Sequence, residues 1–142
     1  MITVGHILAS KGQEVYTISP EATVYEALRL MAHKNIGAVL VMHAGKLVGI
    51  FSERDYARSV VLKGRASRET QIKELMSQHV IIIGPDESLE ACMALMTERR
   101  IRHLPVVEDG QLVGLVSIGD VVKKIISYQH DTIQDLQAYI TA

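Results

Sequence analysis

The chain has 142 residues, 15 Lys+Arg against 16 Asp+Glu, and 48% hydrophobic residues. That apolar fraction excludes disorder and suffices for one ordinary domain or two small units. A net charge of -1 gives no general attraction to nucleic acid or anionic membranes, so any electrostatic site must be local.

The longest apolar run, Ala38–Met42, is far short of the roughly 20 residues a membrane span needs, and the beginning lacks a signal-peptide pattern. A single cysteine, Cys92, excludes an internal disulfide, and a cytoplasmic location is expected. Five Tyr, one Phe and no Trp leave the core to Val, Ile, Leu, Met and Ala.

The chain repeats itself. A shift of 65 residues lays Pro20–Arg58 on Pro85–Lys123 without a gap, with eleven identities in 39 positions where chance gives about two. A flanking match, Val4–Leu8 against Ile72–Met76, needs an offset of 68, so the first copy carries three extra residues near Lys11–Gln13. In chain order, an N-terminal helix precedes Val15–Ile18, a short buried strand stopped by Ser19-Pro20. Val24, Ala27, Leu28 and Met31 then recur at helical spacing, with Thr23 and Glu26 placed as a capping box. Strands Ala38–Met42 and Leu47–Ser52 follow, joined at Ala44-Gly45, and a second helix starts after Ser52.

Lys63–Thr70, with Lys63, Arg65 and Arg68, reads as the connecting loop. The second copy repeats the order: a strand at Val80–Ile83, a helix on Leu89, Cys92, Met93 and Met96, then strands Leu104–Val107 and Leu112–Ser117. Asp109-Gly110 is a strong hairpin signal, and Pro105, which cannot donate, places its strand at an edge or releases it locally. Ile125, Ile126, Ile133, Leu136 and Ile140 mark a C-terminal helix that caps the core or meets a second subunit. The division is therefore 1–62 for the first copy with its N-terminal helix, 63–71 for the linker, 72–126 for the second copy and 127–142 for a helical tail. Each copy is β-α-β-β-α.

No catalytic constellation is visible. Cys92 lies on an apolar helix face, the six histidines are scattered, and no CxxC, P-loop or G-x-G-x-x-G exists. What recurs is Gly49-Ile50-Phe51-Ser52-Glu53-Arg54-Asp55 and Gly114-Leu115-Val116-Ser117-Ile118-Gly119-Asp120. Serine at a strand-to-helix junction with aspartate three residues on is a helix cap. The same physics makes a ligand site: free N–H groups and a hydroxyl suit phosphate, and a carboxylate one turn in can accept both ribose hydroxyls. Glycine three residues before each serine lets another group approach the backbone.

These doubled G-h-h-S-x-x-D motifs, with Arg102-His103-Leu104-Pro105-Val106 upstream of the second, resemble a pair of cystathionine β-synthase (CBS) domains, a Bateman module. The likeness spans about Thr3–Lys123 and is closest to small stand-alone bacterial proteins of this kind. It implies an α/β fold of two pseudo-twofold-related repeats packed through their sheets, with two clefts for adenosyl compounds: AMP, ADP, ATP, NAD or S-adenosylmethionine. By position, one cleft takes Thr17, Ile18, Pro20, Gly37 and Ala38 with Ser117 and Asp120. The other takes Ser52, Arg54, Asp55 and Arg58 with Ile82, Pro85, Arg102, His103 and Pro105.

Arg54 faces Gly119 in the alignment and Arg102 faces Gly37, so the cleft of Ser52 should bind phosphate more strongly. Arg58 falls one turn from Arg54 on the same helical face. Tyr16, Tyr25, Tyr56 and Phe51 are the rings near these positions, so adenine is expected between aliphatic side chains and backbone. The resemblance further implies a homodimer and a downstream protein target the sequence does not name, while the residues themselves lead to the expectation of no metal or catalytic cofactor and no enzymatic activity. A rival reading keeps the module for dimerisation, with vestigial clefts.

Overall fold

The computed structural model describes residues 1–61, 64 and 66–141, so Lys63 and Arg65 of the connecting loop lie outside the described residues. The order of elements is α1 (Val4–Lys11), β1 (Thr17–Ile18), α2 (Val24–Lys34), β2 (Ala38–His43), β3 (Lys46–Ser52), α3 (Glu53–Asp55), a π-helical segment (Tyr56–Val61), α4 (Ile72–Leu75), α5 (Leu89–Arg99), β4 (His103–Glu108), β5 (Gln111–Ser117) and α6 (Ile118–Thr141). These elements fall into two compact units, and the units are not the repeats of the sequence. One comprises Glu14–Ile81; the other joins Met1–Gln13 to Ile82–Ala142.

In the unit Glu14–Ile81, β2 and β3 form an antiparallel hairpin and β1 adds in parallel to β2. The hairpin turns on Ala44 and Gly45, both at positive φ, as a two-residue turn matched to strand twist requires. Val24, Ala27 and Met31 of α2 pack on Val39, Val41, Phe51 and Ile72. This core is almost wholly aliphatic, with Phe51 its one fully buried ring. Thr23 and Glu26 form the capping box expected for α2. The linker supplies further caps, because Val24 and Tyr25 donate their N–H groups to the carbonyls of Thr70 and Ser67 at 2.9 Å each. α4 enters by the same turn, with Ile72 and Lys73 donating to the carbonyls of Ala22 and Pro20.

The other unit repeats these bonds with α1 in the place of α4. Val4 and Gly5 donate to Glu87 and Pro85, and Leu89 donates to Ile2. Each copy of the duplication therefore lends its leading helix to the unit built from the other copy's hairpin. Buried Val4, Ile7 and Leu8 complete a core with Leu89, Cys92, Met96, Leu104, Val106, Val116 and Val121.

Three expectations change. The strands at Val15–Ile18 and Val80–Ile83 shrink, to Thr17–Ile18 and to a single bridge between Ile83 and Val106, and Ile82 is 50% exposed rather than buried. Proline explains the difference between the copies. Leu40 donates its N–H to the Tyr16 carbonyl, whereas Pro105, its counterpart, has none to give and only its carbonyl accepts, from Ile83. Second, the tail is not a separate helix: α6 runs unbroken for 24 residues from the Ser117 junction. Third, the helix after Ser52 is α-helical only over Glu53–Asp55 and continues as a π-helical segment over Tyr56–Val61.

Candidate functional site

Both serine–aspartate motifs fold as capping boxes at a strand-to-helix junction. Ser52 donates its N–H to Asp55 Oδ2 at 2.9 Å, and the Asp55 N–H returns a bond to Ser52 Oγ at 3.3 Å. Ser117 and Asp120 do the same at 2.8 and 3.1 Å. Strand register delivers each serine beside the start of the preceding strand, with Ala38 opposite Ser52 and His103 opposite Ser117. The first helical N–H of each junction is taken from that side, Glu53 donating to the Gly37 carbonyl and Ile118 to that of Arg102. Each unit thus gathers its own Gly37, Ala38, Ser52 and Asp55, or Arg102, His103, Ser117 and Asp120. Among the described residues, the hydrogen bonds to both carboxylates fall on Oδ2.

The two junctions differ in a way the sequence did not display. Lys11, from the last turn of α1, places Nζ 2.6 Å from Asp120 Oδ2 and 2.9 Å from the Leu115 carbonyl. Lys11 belongs to the three-residue insertion that breaks the repeat, which was the available signal. Burial works to raise the Asp120 pKa, but the Lys11 ammonium and the Ser117 N–H and hydroxyl outweigh it and hold the carboxyl below its ordinary value. Asp120, Lys11, Lys123, Lys124, Ser10 and Ser127 line a cavity of about 330 Å³. The junction of Ser117 and Asp120 is therefore rich in lysine.

The motif glycines serve the fold. A Cβ on Gly49 would lie 2.5 Å from Met76 Sδ, and one on Gly114 would lie 2.7 Å from Leu8 Cδ2. The group that approaches the backbone is the helix docked on each sheet, not an outside molecule. Of the other expected site residues, Thr17, Arg54, Arg58, Ile82 and Arg102 are exposed, Ile18, Gly37, Pro85 and His103 partly so, and Pro20, Ala38 and Pro105 are buried. The rings are occupied. Phe51 is core, Tyr56 packs against it, Lys34 lies over Tyr16 and Arg68 over Tyr25 at 4.3 Å. Cys92 is fully buried, and burial pushes its thiol up to about 11, which leaves it unreactive at neutral pH.

The profile of the CBS domain family matches twice, at residues 4–62 and 72–127. The chain belongs to the CBS domain family. Its relatives include the mitochondrial CBS domain-containing protein CBSX3 of Arabidopsis thaliana, 36% identical over 147 residues that cover 97% of this chain and 71% of the relative. Among solved structures, a putative signal-transduction protein with CBS domains from Burkholderia ambifaria is 49% identical with a TM-score of 0.86, over 88% of this chain and 94% of that one. The CBS domain pair of protein MJ0100, solved in complex with 5'-methylthioadenosine and S-adenosyl-L-methionine, is 25% identical with a TM-score of 0.79, over 90% and 98%. The fold is that of a CBS pair, the two copies found by shifting the sequence are CBS domains, and CBS pairs are regulatory modules that often bind adenosine ligands. Among the described residues, no helix is long and apolar enough to cross a membrane.

Proposed function

We propose that this CBS pair is a regulatory adenine-nucleotide sensor, binding AMP, ATP, NAD or S-adenosylmethionine at its two serine–aspartate junctions and reporting occupancy to a protein partner. The observation that carries this reading is the junction itself, built twice with the same bonds. Each places a serine hydroxyl and a carboxylate at the start of a helix, groups suited to a phosphate and to the paired hydroxyls of a ribose. The adenosyl compounds bound to the MJ0100 pair support the ligand class. The two expected clefts, Thr17, Ile18, Pro20, Gly37 and Ala38 with Ser117 and Asp120, and Ile82, Pro85, Arg102, His103 and Pro105 with Ser52, Arg54, Asp55 and Arg58, form part of this proposal. Adenine is held there by aliphatic groups and backbone, since every nearby ring is already engaged. Occupancy acts by shifting the equilibrium between arrangements of the module, without chemical turnover.

Isothermal titration with the four compounds tests this. Binding is expected for at least one, weakened roughly ten- to hundredfold by Asp55→Ala or Asp120→Ala as charge-assisted bonds to ribose are lost. No heat with any of them would sink the proposal. The completeness of the caps favours a rival, in which Ser52, Asp55, Ser117 and Asp120 only shape helix ends and the pair serves dimerisation. In that case both substitutions lower the melting temperature and leave nucleotide titrations flat from the start.

A further inference from the structure

The cavity beside Ser117 and Asp120 is built from two helices of one unit. On α6, Asp120, Lys123, Lys124 and Ser127 follow at steps of three, one and three, which puts them on one face. α1 brings Ser10 and Lys11 to the same cavity. It does so because it runs for eight residues where α4, its counterpart, runs for four, and the extra turn carries both side chains. At about 330 Å³ the cavity falls at the small end of ligand clefts, which span roughly 300–1,000 Å³. Its lining sets three ammonium groups against one carboxylate, an excess of two positive charges. Lys11 is held by Asp120, whereas Lys124 Nζ reaches a neutral group, Ser10 Oγ at 3.2 Å. Among the described residues, neither Lys123 nor Lys124 forms an ion pair. The duplication does not repeat this set. The positions matching Lys123 and Lys124 are Arg58 and Ser59, and α4 ends at Leu75, short of any counterpart to Lys11.

We infer that this cavity holds a phosphate chain, and that Lys11 thereby makes the junction of Ser117 and Asp120 select phosphorylated adenosyl compounds over uncharged or cationic ones. The selectivity rests on the reading that Asp120 receives the ribose of an adenosyl ligand; the phosphate site rests on the lysines alone. A ribose that approaches Asp120 meets an ammonium 2.6 Å from the carboxylate. Weakening that ion pair costs affinity, and an uncharged nucleoside such as 5'-methylthioadenosine returns nothing for it. The sulfonium of S-adenosylmethionine adds a like charge beside three lysines. Phosphate reverses the sign. Lysine is a point charge on a flexible four-carbon stem, so Lys11 can turn from Asp120 to a phosphate oxygen without any movement of α1. Lys123 and Lys124 then supply further charge-assisted bonds, and the hydroxyls of Ser10 and Ser127 can donate as well. Each added phosphate brings negative charge to a lining with positive charge in excess, so affinity rises from 5'-methylthioadenosine through AMP to ATP.

Isothermal titration of the Asp55→Ala chain, in which the Ser52 junction is weakened, gives the test, with inorganic pyrophosphate, AMP, ATP, 5'-methylthioadenosine and S-adenosylmethionine as probes. ATP should bind roughly a hundredfold more tightly than 5'-methylthioadenosine. Raising the salt from about 50 to about 300 mM should narrow the gap. Lys11→Gln, which keeps the stem and removes the charge, should weaken ATP and pyrophosphate roughly tenfold and tighten 5'-methylthioadenosine. Lys46→Gln, at an exposed lysine that does not line the cavity, should change none of them. The same titrations with Asp55 intact keep the inference testable if Asp55→Ala folds poorly. A ratio of ATP to 5'-methylthioadenosine affinity that Lys11→Gln leaves untouched overturns the inference, as does pyrophosphate that finds no site. Pyrophosphate held through Lys11 while no adenosyl compound binds supports the phosphate site and sinks the sensor reading. Adenosyl compounds bound alike whatever their charge sink the phosphate site and keep that reading.

Discussion

Asp120 carries two tasks at once, capping α6 through Ser117 and holding Lys11 of α1. Its pKa is depressed in the folded state, so the stability it contributes is present above the unfolded carboxylate value and is lost as pH falls through the folded one. Lys11→Ala should cost up to about 1 kcal/mol near pH 7, the pair being partly exposed. The difference from wild type should shrink as pH falls below the ordinary carboxylate range and Asp120 takes up its proton, and thermal melts in acid would show it. A constant difference would place the cost in the α1 helix instead. The motif glycines give a second expectation. Gly114→Ala drives a Cβ into branched Leu8, Gly49→Ala into the more pliable Met76, so both destabilise by about 1–3 kcal/mol and the former by more. Leu8→Ala should partly rescue Gly114→Ala in a double-mutant cycle and leave Gly49→Ala unaided. The serine and aspartate of each motif were legible because capping is local, settled within four residues. Lys11 was not, since its partner lies 109 residues away in sequence.

Among the elements, the duplication doubled every local signal, and the hairpins, α2, α5 and the junction helices stand where apolar periodicity and turn chemistry put them. The misjudged elements are those decided by a neighbour. β1 and its counterpart depend on whether the adjoining strand can donate, which Leu40 does and Pro105 does not. α6 continues through residues that looked like a separate tail, because Ser117–Lys123 and the apolar positions beyond it share one helical phase and nothing breaks them. The matched hairpins allow a prediction with an internal control. Ala44 and Asp109 hold the same left-handed conformation, φ 51° and 52°, which aspartate and asparagine tolerate better than alanine. Ala44→Asn should stabilise the unit Glu14–Ile81 by roughly 0.5–1 kcal/mol, and Asp109→Ala should destabilise the other unit by a similar amount. Denaturant unfolding would measure both, and equal effects of either sign would refute the argument.

For the whole molecule, the repeat seen in sequence and the unit that packs are different objects. Shifting the chain by 65 residues finds the first and cannot find the second, because α1 and α4 are nearly interchangeable in pattern and only tertiary contact assigns each to a hairpin. Removing residues 1–13 should therefore damage the hairpin that lies farther along the chain. Hydrogen exchange on that truncation should show 104–116 losing protection while 39–51 keep theirs; the reverse would mean that α1 serves its neighbour in sequence. For the same reason, residues 72–142 expressed alone should not fold, despite spanning one complete CBS repeat.

The exchange of leading helices also sets a timetable. During synthesis, Glu14–Ile81 has all its parts as soon as Ile81 leaves the ribosome, and it can fold while the remainder is still being made. α1 emerges before the hairpin it packs on and has no seat until β5 arrives about a hundred residues later, which at 5–20 residues per second is a wait on the order of ten seconds. Throughout that interval Val4, Ile7 and Leu8 are unburied. Of the elements of the pair, α1 is thus the one most in need of a chaperone.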